Sequence, residues 1–148
     1  MRNDDALTSL IIRNAIEIHR SHGPGLFESA CEVMLADSLE AAGVTVERQV
    51  AVPIHYRGRI IAEGYRLDLL VDRQVVVEVK SVEKLAPIHS QQLLTYLRFG
   101  GFKVGLLLNF GAGTLRDGLK RLVNDFTPAD DSPLLVNRRH SANNGITS

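Results

Sequence analysis

The spacing of Asp68, Glu78 and Lys80 favours a reaction centre on a single β-hairpin. Glu78 follows Asp68 by ten residues, and Lys80 lies two residues further on. If residues 72–74 form a three-residue turn, Asp68 lies opposite Glu78 and Arg66 lies opposite Lys80 on antiparallel strands. Two carboxylates about 5 Å apart repel each other by roughly 3 kcal/mol, so this pairing requires compensation.

Two kinds of compensation fit these residues. In the first, Arg66 pairs with Glu78 and Asp68 pairs with Lys80, a solvated network worth about 0.2–1 kcal/mol for each pair. In the second, a hard divalent cation such as Mg²⁺ binds between Asp68 and Glu78, with the carbonyl of Val79 as a third oxygen ligand. Lys80 would then stabilise the negative charge that develops during phosphodiester hydrolysis.

Strand alternation assigns these side chains to two faces of the hairpin. One face carries the charged residues at one end. Its members are Arg66, Asp68, Leu70, Val76, Glu78 and Lys80. The other face is expected to be wholly apolar, with Leu67, Leu69, Val71, Val75, Val77 and Val79.

Helices precede the hairpin in the predicted order of elements. Asp4 and Asp5 can cap a first helix that runs to about Arg20, and apolar residues recur along it at helical spacing. The His22-Gly23-Pro24-Gly25 segment breaks the pattern, and residues 26–42 resume it until Gly43.

Three antiparallel strands are predicted next, over residues 44–56, 60–71 and 75–81, with short turns at 57–59 and 72–74. Pro53 predicts that the first strand lies at a sheet edge or is bulged there. Pro87 begins a helix that extends over residues 88–99, and the apolar segment 102–110 predicts an inner strand. A closing helix is expected over residues 114–124, with Thr114 as its cap and Leu115, Leu119, Leu122 and Val123 buried.

The composition is that of an ordinary globular protein. The chain has 148 residues, of which 45% are hydrophobic, and its 17 basic residues equal its 17 acidic ones, so any contact with nucleic acid must be local. We expect one domain over residues 1–127 and a flexible tail over 128–148, which is poor in apolar residues.

The single cysteine, Cys31, excludes an internal disulfide and a multi-cysteine zinc site, and its apolar helical setting predicts a packing role. No apolar run reaches the roughly 20 residues of a membrane span, and the polar N-terminus does not resemble a secretory signal. These features predict a soluble cytoplasmic protein that makes no membrane contact.

The Asp68 and Glu78-Val79-Lys80 pattern resembles the signature of the PD-(D/E)XK nuclease superfamily. That resemblance implies an α/β fold with a restriction-endonuclease-like core, ordered α-β-β-β-α-β, whose mixed sheet is flanked by helices. Four segments are also similar to the bacterial GxxExxY family over about residues 10–126: GLFE at 25–28, EGYRLDLLV at 63–71, QLLTY at 92–96 and LLNF at 107–110. Cys31 replaces the final tyrosine of the GxxExxY motif.

The resemblance implies supporting roles for three further residues. Glu28 matches an acidic helix residue near the metal site, which acts as a ligand or through water; alternatively it is a glutamate favoured by the helix dipole. Gln92 and Tyr96 share a helix face and match a QxxxY element that orients Lys80 or contacts phosphate. By spacing alone, they also fit the polar side of an amphipathic helix.

These observations predict a metal-dependent nuclease that uses Mg²⁺ or Mn²⁺ and hydrolyses phosphodiester bonds. The resemblance favours DNA over RNA as substrate. A homodimer or a protein partner that provides specificity is also compatible with the sequence. The rival hypothesis is a catalytically inactive binding or assembly module that retains the nuclease fold.

Overall fold

The computed structural model describes residues 3–125, without the side chains of Ala62 and Glu63. Three helices and five strands are present in this range. In chain order they are α1 (Asp4–His22), α2 (Glu28–Ala41), β1 (Val46–Tyr56), β2 (Arg59–Val71), β3 (Val75–Lys80), α3 (Pro87–Gly100), β4 (Val104–Asn109) and β5 (Leu119–Val123). None of these helices is long and apolar enough to cross a bilayer. The predicted C-terminal tail lies outside the described residues.

The five strands form one mixed sheet in the order β1-β2-β3-β4-β5. The predicted antiparallel run from β1 to β3 is confirmed, and β4 joins β3 in parallel through the α3 crossover. Val71 pairs with Val75, as the three-residue turn requires. The first turn is shorter than predicted, because Tyr56 pairs directly with Arg59 around two residues with positive φ.

Pro53 makes the edge strand β1 irregular. The β1–β2 register shifts between Val52 and Ile54, on either side of Pro53. Proline lacks the N–H that a regular ladder needs, so the strand is irregular at this position. Both predicted features, the edge position and the bulge, are therefore present.

Helices cover both faces of the sheet and create two hydrophobic cores. The α1/α2 core contains Leu7 and Ile11 from α1, Leu35 and Leu39 from α2, and the facing side chains of β2, β3 and β4. The α3 core contains Leu93 and Leu97 on the opposite face. Strand β4 is buried along its whole length because it lies between the two cores.

The prediction that Leu67 shares a face with Leu69 is wrong. Leu69 packs in the α1/α2 core, whereas Leu67 packs in the α3 core together with Leu70. The β1–β2 ladder is irregular at this position: Gln49, which lies between the partners of Leu69 and Leu67, has a φ of 54° in the left-handed region. Strict alternation therefore fails at the residue that carries the first carboxylate.

The predicted closing helix is also wrong, because the segment forms a short 3₁₀ turn (Arg116–Gly118) followed by β5. The predicted cap at Thr114 is wrong as well, because Leu115 is the N-cap of this turn; Oγ1 of Thr114 accepts from the N–H of Asp117 at 3.2 Å. Leu119 packs on the α1/α2 core and Leu122 on the α3 core, an arrangement that a strand produces and a helix does not. The backbone hydrogen bonds of residues 119–123 come from antiparallel pairing of β5 with β4.

Candidate active site

Asp68 and Glu78 meet where β2 and β3 separate. The last ladder pair is Leu69 with Val77, and beyond it side-chain hydrogen bonds replace those of the backbone. The N–H of Asp68 donates to Oε1 of Glu78 at 3.1 Å, and the N–H of Val79 donates to Oδ2 of Asp68 at 2.8 Å. Each carboxylate is therefore held by the opposite strand, and the predicted juxtaposition of the two acids is present.

The predicted pairing of Arg66 with Lys80 across the hairpin is wrong, because the ladder ends before it. Arg66 Nη1 instead donates to the backbone oxygen of Gln49 on β1, at 3.2 Å. The diagonal ion pairs Arg66–Glu78 and Asp68–Lys80 do not form either. Within residues 3–125, the ion pairs are Arg48–Glu32, Arg73–Glu47 and Arg121–Asp5.

The carboxylate pair carries strongly perturbed acidity. Burial, followed by the charge of Asp68, raises the pKa of Glu78 from 4.5 to about 8. Burial also raises the pKa of Asp68, and the charges of Glu32 and Glu28 add to that increase. Lys80 acts in the opposite direction on both groups, as do their backbone hydrogen bonds. Glu78 therefore retains a proton at neutral pH in the absence of further positive charge.

The start of α2 is anchored to the segment that follows β3. Oε1 of Glu28 accepts from the N–H of Ser81 at 3.2 Å, and the carbonyl of Leu26 accepts from Oγ of Ser81 at 2.7 Å. Ser81 directly follows Lys80. Glu28 is thus placed beside the end of β3, and its charge acts on Asp68.

Glu32 is a buried acid of this region that the sequence analysis missed. It binds Nη2 of Arg48 at 2.9 Å and also accepts from Nε2 of Gln49. Together with Glu28, Gln49 and Asp68 it lines a cleft of about 180 Å³. Its spacing of four residues from Glu28, which puts both side chains on one face of α2, is the signal that could have identified it.

Helix α3 brings Tyr96 close to the carboxylates, whereas Gln92 on the same helix is exposed. Burial raises the pKa of Tyr96, and the charges of Glu78 and Asp68 raise it further. The Tyr96 ring packs on Tyr65, with 4.9 Å between ring centroids. Gln92 lies one turn earlier, is exposed, and has no hydrogen bond to another residue of the described chain.

The comparisons with known proteins agree with this arrangement of acids and lysine. A family profile described as PD-(D/E)XK nuclease superfamily matches residues 5–122, most of the chain. The chain belongs to the PD-(D/E)XK nuclease superfamily. A search of curated proteins and a search of solved structures found no match. The mixed α/β sheet with its flanking helices has the restriction-endonuclease-like fold of this superfamily.

PD-(D/E)XK nucleases generally use divalent metals, and the donors in this site fit such an ion. Asp68 and Glu78 provide oxygen ligands, and their mutual repulsion is relieved by positive charge. Among residues 3–125, no three His, Cys, Asp or Glu side chains are grouped to hold a metal.

Cys31 has the packing role that the sequence predicted. It is fully buried in the α1/α2 core. Burial raises the pKa of its thiol to about 11. The reactive thiolate is therefore scarce at neutral pH, which excludes Cys31 as a nucleophile of this site.

Asn109 at the end of β4 positions the segment that follows Lys80. Its side chain is 1% exposed, and Oδ1 accepts from the N–H groups of Val82 and Gly111, each at 3.0 Å. Asn109→Ala is expected to lower the free energy of unfolding by about 2 kcal/mol, because two partly buried N–H groups lose their acceptor. Urea denaturation measures this change. Asn109→Asp, compared with Asn109→Ala at pH 4.5 where a buried carboxyl is protonated and uncharged, retains an accepting oxygen and should lose less; equal losses in the two variants would contradict the assignment.

Proposed function

We propose that this protein is a metal-dependent nuclease that hydrolyses phosphodiester bonds in DNA. The observation that carries the proposal is the pair of adjacent carboxylates, buried Glu78 and partly buried Asp68, with the charge of Lys80 acting on both. Membership of the superfamily supports hydrolysis as the reaction. DNA rather than RNA follows from the superfamily resemblance.

In this proposal Asp68 and Glu78 ligate Mg²⁺ or Mn²⁺, the carbonyl of Val79 adds a third oxygen, and Glu28 acts through water. When bound, the ion lowers the pKa of water and stabilises charge on the attacked phosphate. Lys80 would stabilise the negative charge that develops at this centre.

Helix α3 completes the proposed site. Tyr96 contacts the phosphate backbone of the substrate or orients Lys80, and Gln92 assists one turn earlier. The proximity of Tyr96 to both carboxylates supports its role more strongly than that of Gln92.

The same residues support placement in the GxxExxY family, because Glu28 of its motif is held at the end of β3. We further propose one catalytic domain over residues 1–127 that acts in the cytoplasm. In this proposal, a homodimer or a protein partner would provide sequence specificity.

A cleavage assay tests the proposal. Purified wild type is expected to cleave supercoiled or single-stranded DNA with Mg²⁺ or Mn²⁺ and to lose activity in EDTA. Glu78→Ala should reduce cleavage at least about a thousandfold, the scale of losing a principal charge-stabilising group. RNA of the same length tests the substrate preference.

Two results would overturn the proposal. Equal cleavage by wild type and Glu78→Ala would place the activity elsewhere. Absence of cleavage on DNA and RNA, with no rise in melting temperature on adding Mg²⁺ or Mn²⁺, would favour the inactive binding module, because an ion bound to the native state must stabilise it.

A further inference from the structure

A second cavity, here called the basic pocket, lies apart from the carboxylates. Its volume is about 420 Å³, and its walls come from the end of α1, the turn before α2 and the loop between β4 and β5. Its defining side chains are Ile16, Arg20, Pro24, Thr114, Leu115 and Arg116.

Two guanidinium groups give the basic pocket its charge. Arg20 and Arg116 are both exposed, and neither forms an ion pair or side-chain hydrogen bond with any other residue of the described range. Among residues 3–125, no acidic side chain lines the cavity. In a chain with equal numbers of acidic and basic residues, this is a local excess of positive charge that favours an anion. The guanidinium fork binds phosphate in a bidentate manner.

Three apolar side chains also line the cavity, beside His19 and Thr114. They belong to Ile16, Pro24 and Leu115, and Leu115 is almost fully buried. Phosphate alone would gain nothing from these three side chains. A nucleotide fits better, because its flat base can pack on the apolar wall while its phosphate binds the guanidinium groups.

The fold places the basic pocket near the end of β3, the strand that carries Glu78 and Lys80. Strands β3 and β4 are parallel, so Lys80 at the end of β3 and the loop after β4 lie at the same edge of the sheet. Pro24 precedes Glu28 by four residues, which span at most about 14 Å. At about 3.4 Å of rise per nucleotide, one strand of nucleic acid covers that distance in roughly four nucleotides.

We propose that the basic pocket binds a nucleotide, with its phosphate at Arg20 and Arg116 and its base against Ile16, Pro24 and Leu115. Assignment of this nucleotide to the substrate strand rests on the proposed nuclease function. A free mononucleotide offers the same chemistry, and the experiment separates the two sources.

Binding is measured by fluorescence anisotropy with a labelled thymidine 15-mer in EDTA, where cleavage does not interfere. The double variant Arg20→Gln/Arg116→Gln should weaken binding at least about tenfold and reduce the salt dependence of log K by about 0.7 for each arginine. Arg13→Gln, an exposed arginine on the same helix, is the matched control and should bind like wild type. Unchanged binding by the double variant, or an equal loss in the control, overturns the proposal.

Thymidine 5′-monophosphate, titrated with wild type and the double variant, distinguishes the sources. Arginine-dependent binding of the 15-mer supports a substrate nucleotide, and arginine-dependent binding of the monophosphate alone supports a free nucleotide. If the double variant keeps wild-type affinity for both ligands, the proposed pocket is wrong. Because the readout is binding, a protein that cleaves nothing can still confirm the pocket, and a protein that cleaves can still refute it.

Discussion

Replacing Glu78 by glutamine is expected to stabilise the protein at alkaline pH and to abolish its cleavage activity. Burial raises the pKa of Glu78 from 4.5 to about 8 in the folded chain. Between these values the native state holds a proton that the unfolded chain has released, so the free energy of unfolding falls as pH rises. The slope approaches about 1.4 kcal/mol per pH unit, and the loss is complete once pH exceeds the folded pKa.

Glutamine removes this dependence because it does not titrate, while its side-chain oxygen can still accept from the N–H of Asp68. Glu78→Gln should therefore exceed wild type in unfolding free energy by a few kcal/mol at pH 9, and the two should converge near pH 4.5. Urea denaturation in EDTA from pH 5 to 9 measures the difference. Glu40→Gln, an exposed glutamate on α2, is the control. A flat wild-type profile would show that the carboxyl is not protonated in the folded chain.

Local geometry explains why the carboxylate pair was predictable from the sequence. The three-residue turn fixes Val71 opposite Val75, and the register then carries Asp68 to Glu78 three residues further along each strand. No distant part of the chain is needed for that step. The wrong predictions for Arg66 and Leu67 fall where β2 contacts the left-handed Gln49 of β1, whose conformation the hairpin sequence does not encode.

The prediction of a closing helix is wrong for a different reason. Residues 115, 119, 122 and 123 fit a helical stripe, but the sequence does not state that β4 has a free edge available for pairing. Gly118 indicates that the chain passes close to the end of β4, because a Cβ at this position would lie 2.5 Å from the backbone oxygen of Asn109. The sequence could not predict the role of Asn109 as a hydrogen-bond acceptor. The N–H groups of Val82 and Gly111 reach its side chain only in the folded chain.

Lys80→Met is expected to reduce cleavage by about 10²–10³-fold while leaving metal binding intact. The charge of Lys80 lowers the pKa of both Asp68 and Glu78, so its ammonium group lies close enough to stabilise negative charge at the same centre. Methionine keeps much of the apolar stem but has no charge. The oxygens that would ligate the ion belong to the two acids, so saturating Mg²⁺ should still raise the melting temperature of the variant.

The contrast between turnover and metal binding separates a catalytic lysine from one that only neutralises the acids. A lysine that only neutralised the carboxylates would become dispensable at saturating Mg²⁺, because a divalent cation supplies more positive charge than the ammonium group. Lys84→Met, at an exposed position four residues further on, removes the same charge from the neighbourhood and should cleave like wild type. Cleavage by Lys80→Met within about threefold of wild type at saturating Mg²⁺ would assign Lys80 to electrostatic balance alone, since a lost charge-stabilising group costs far more.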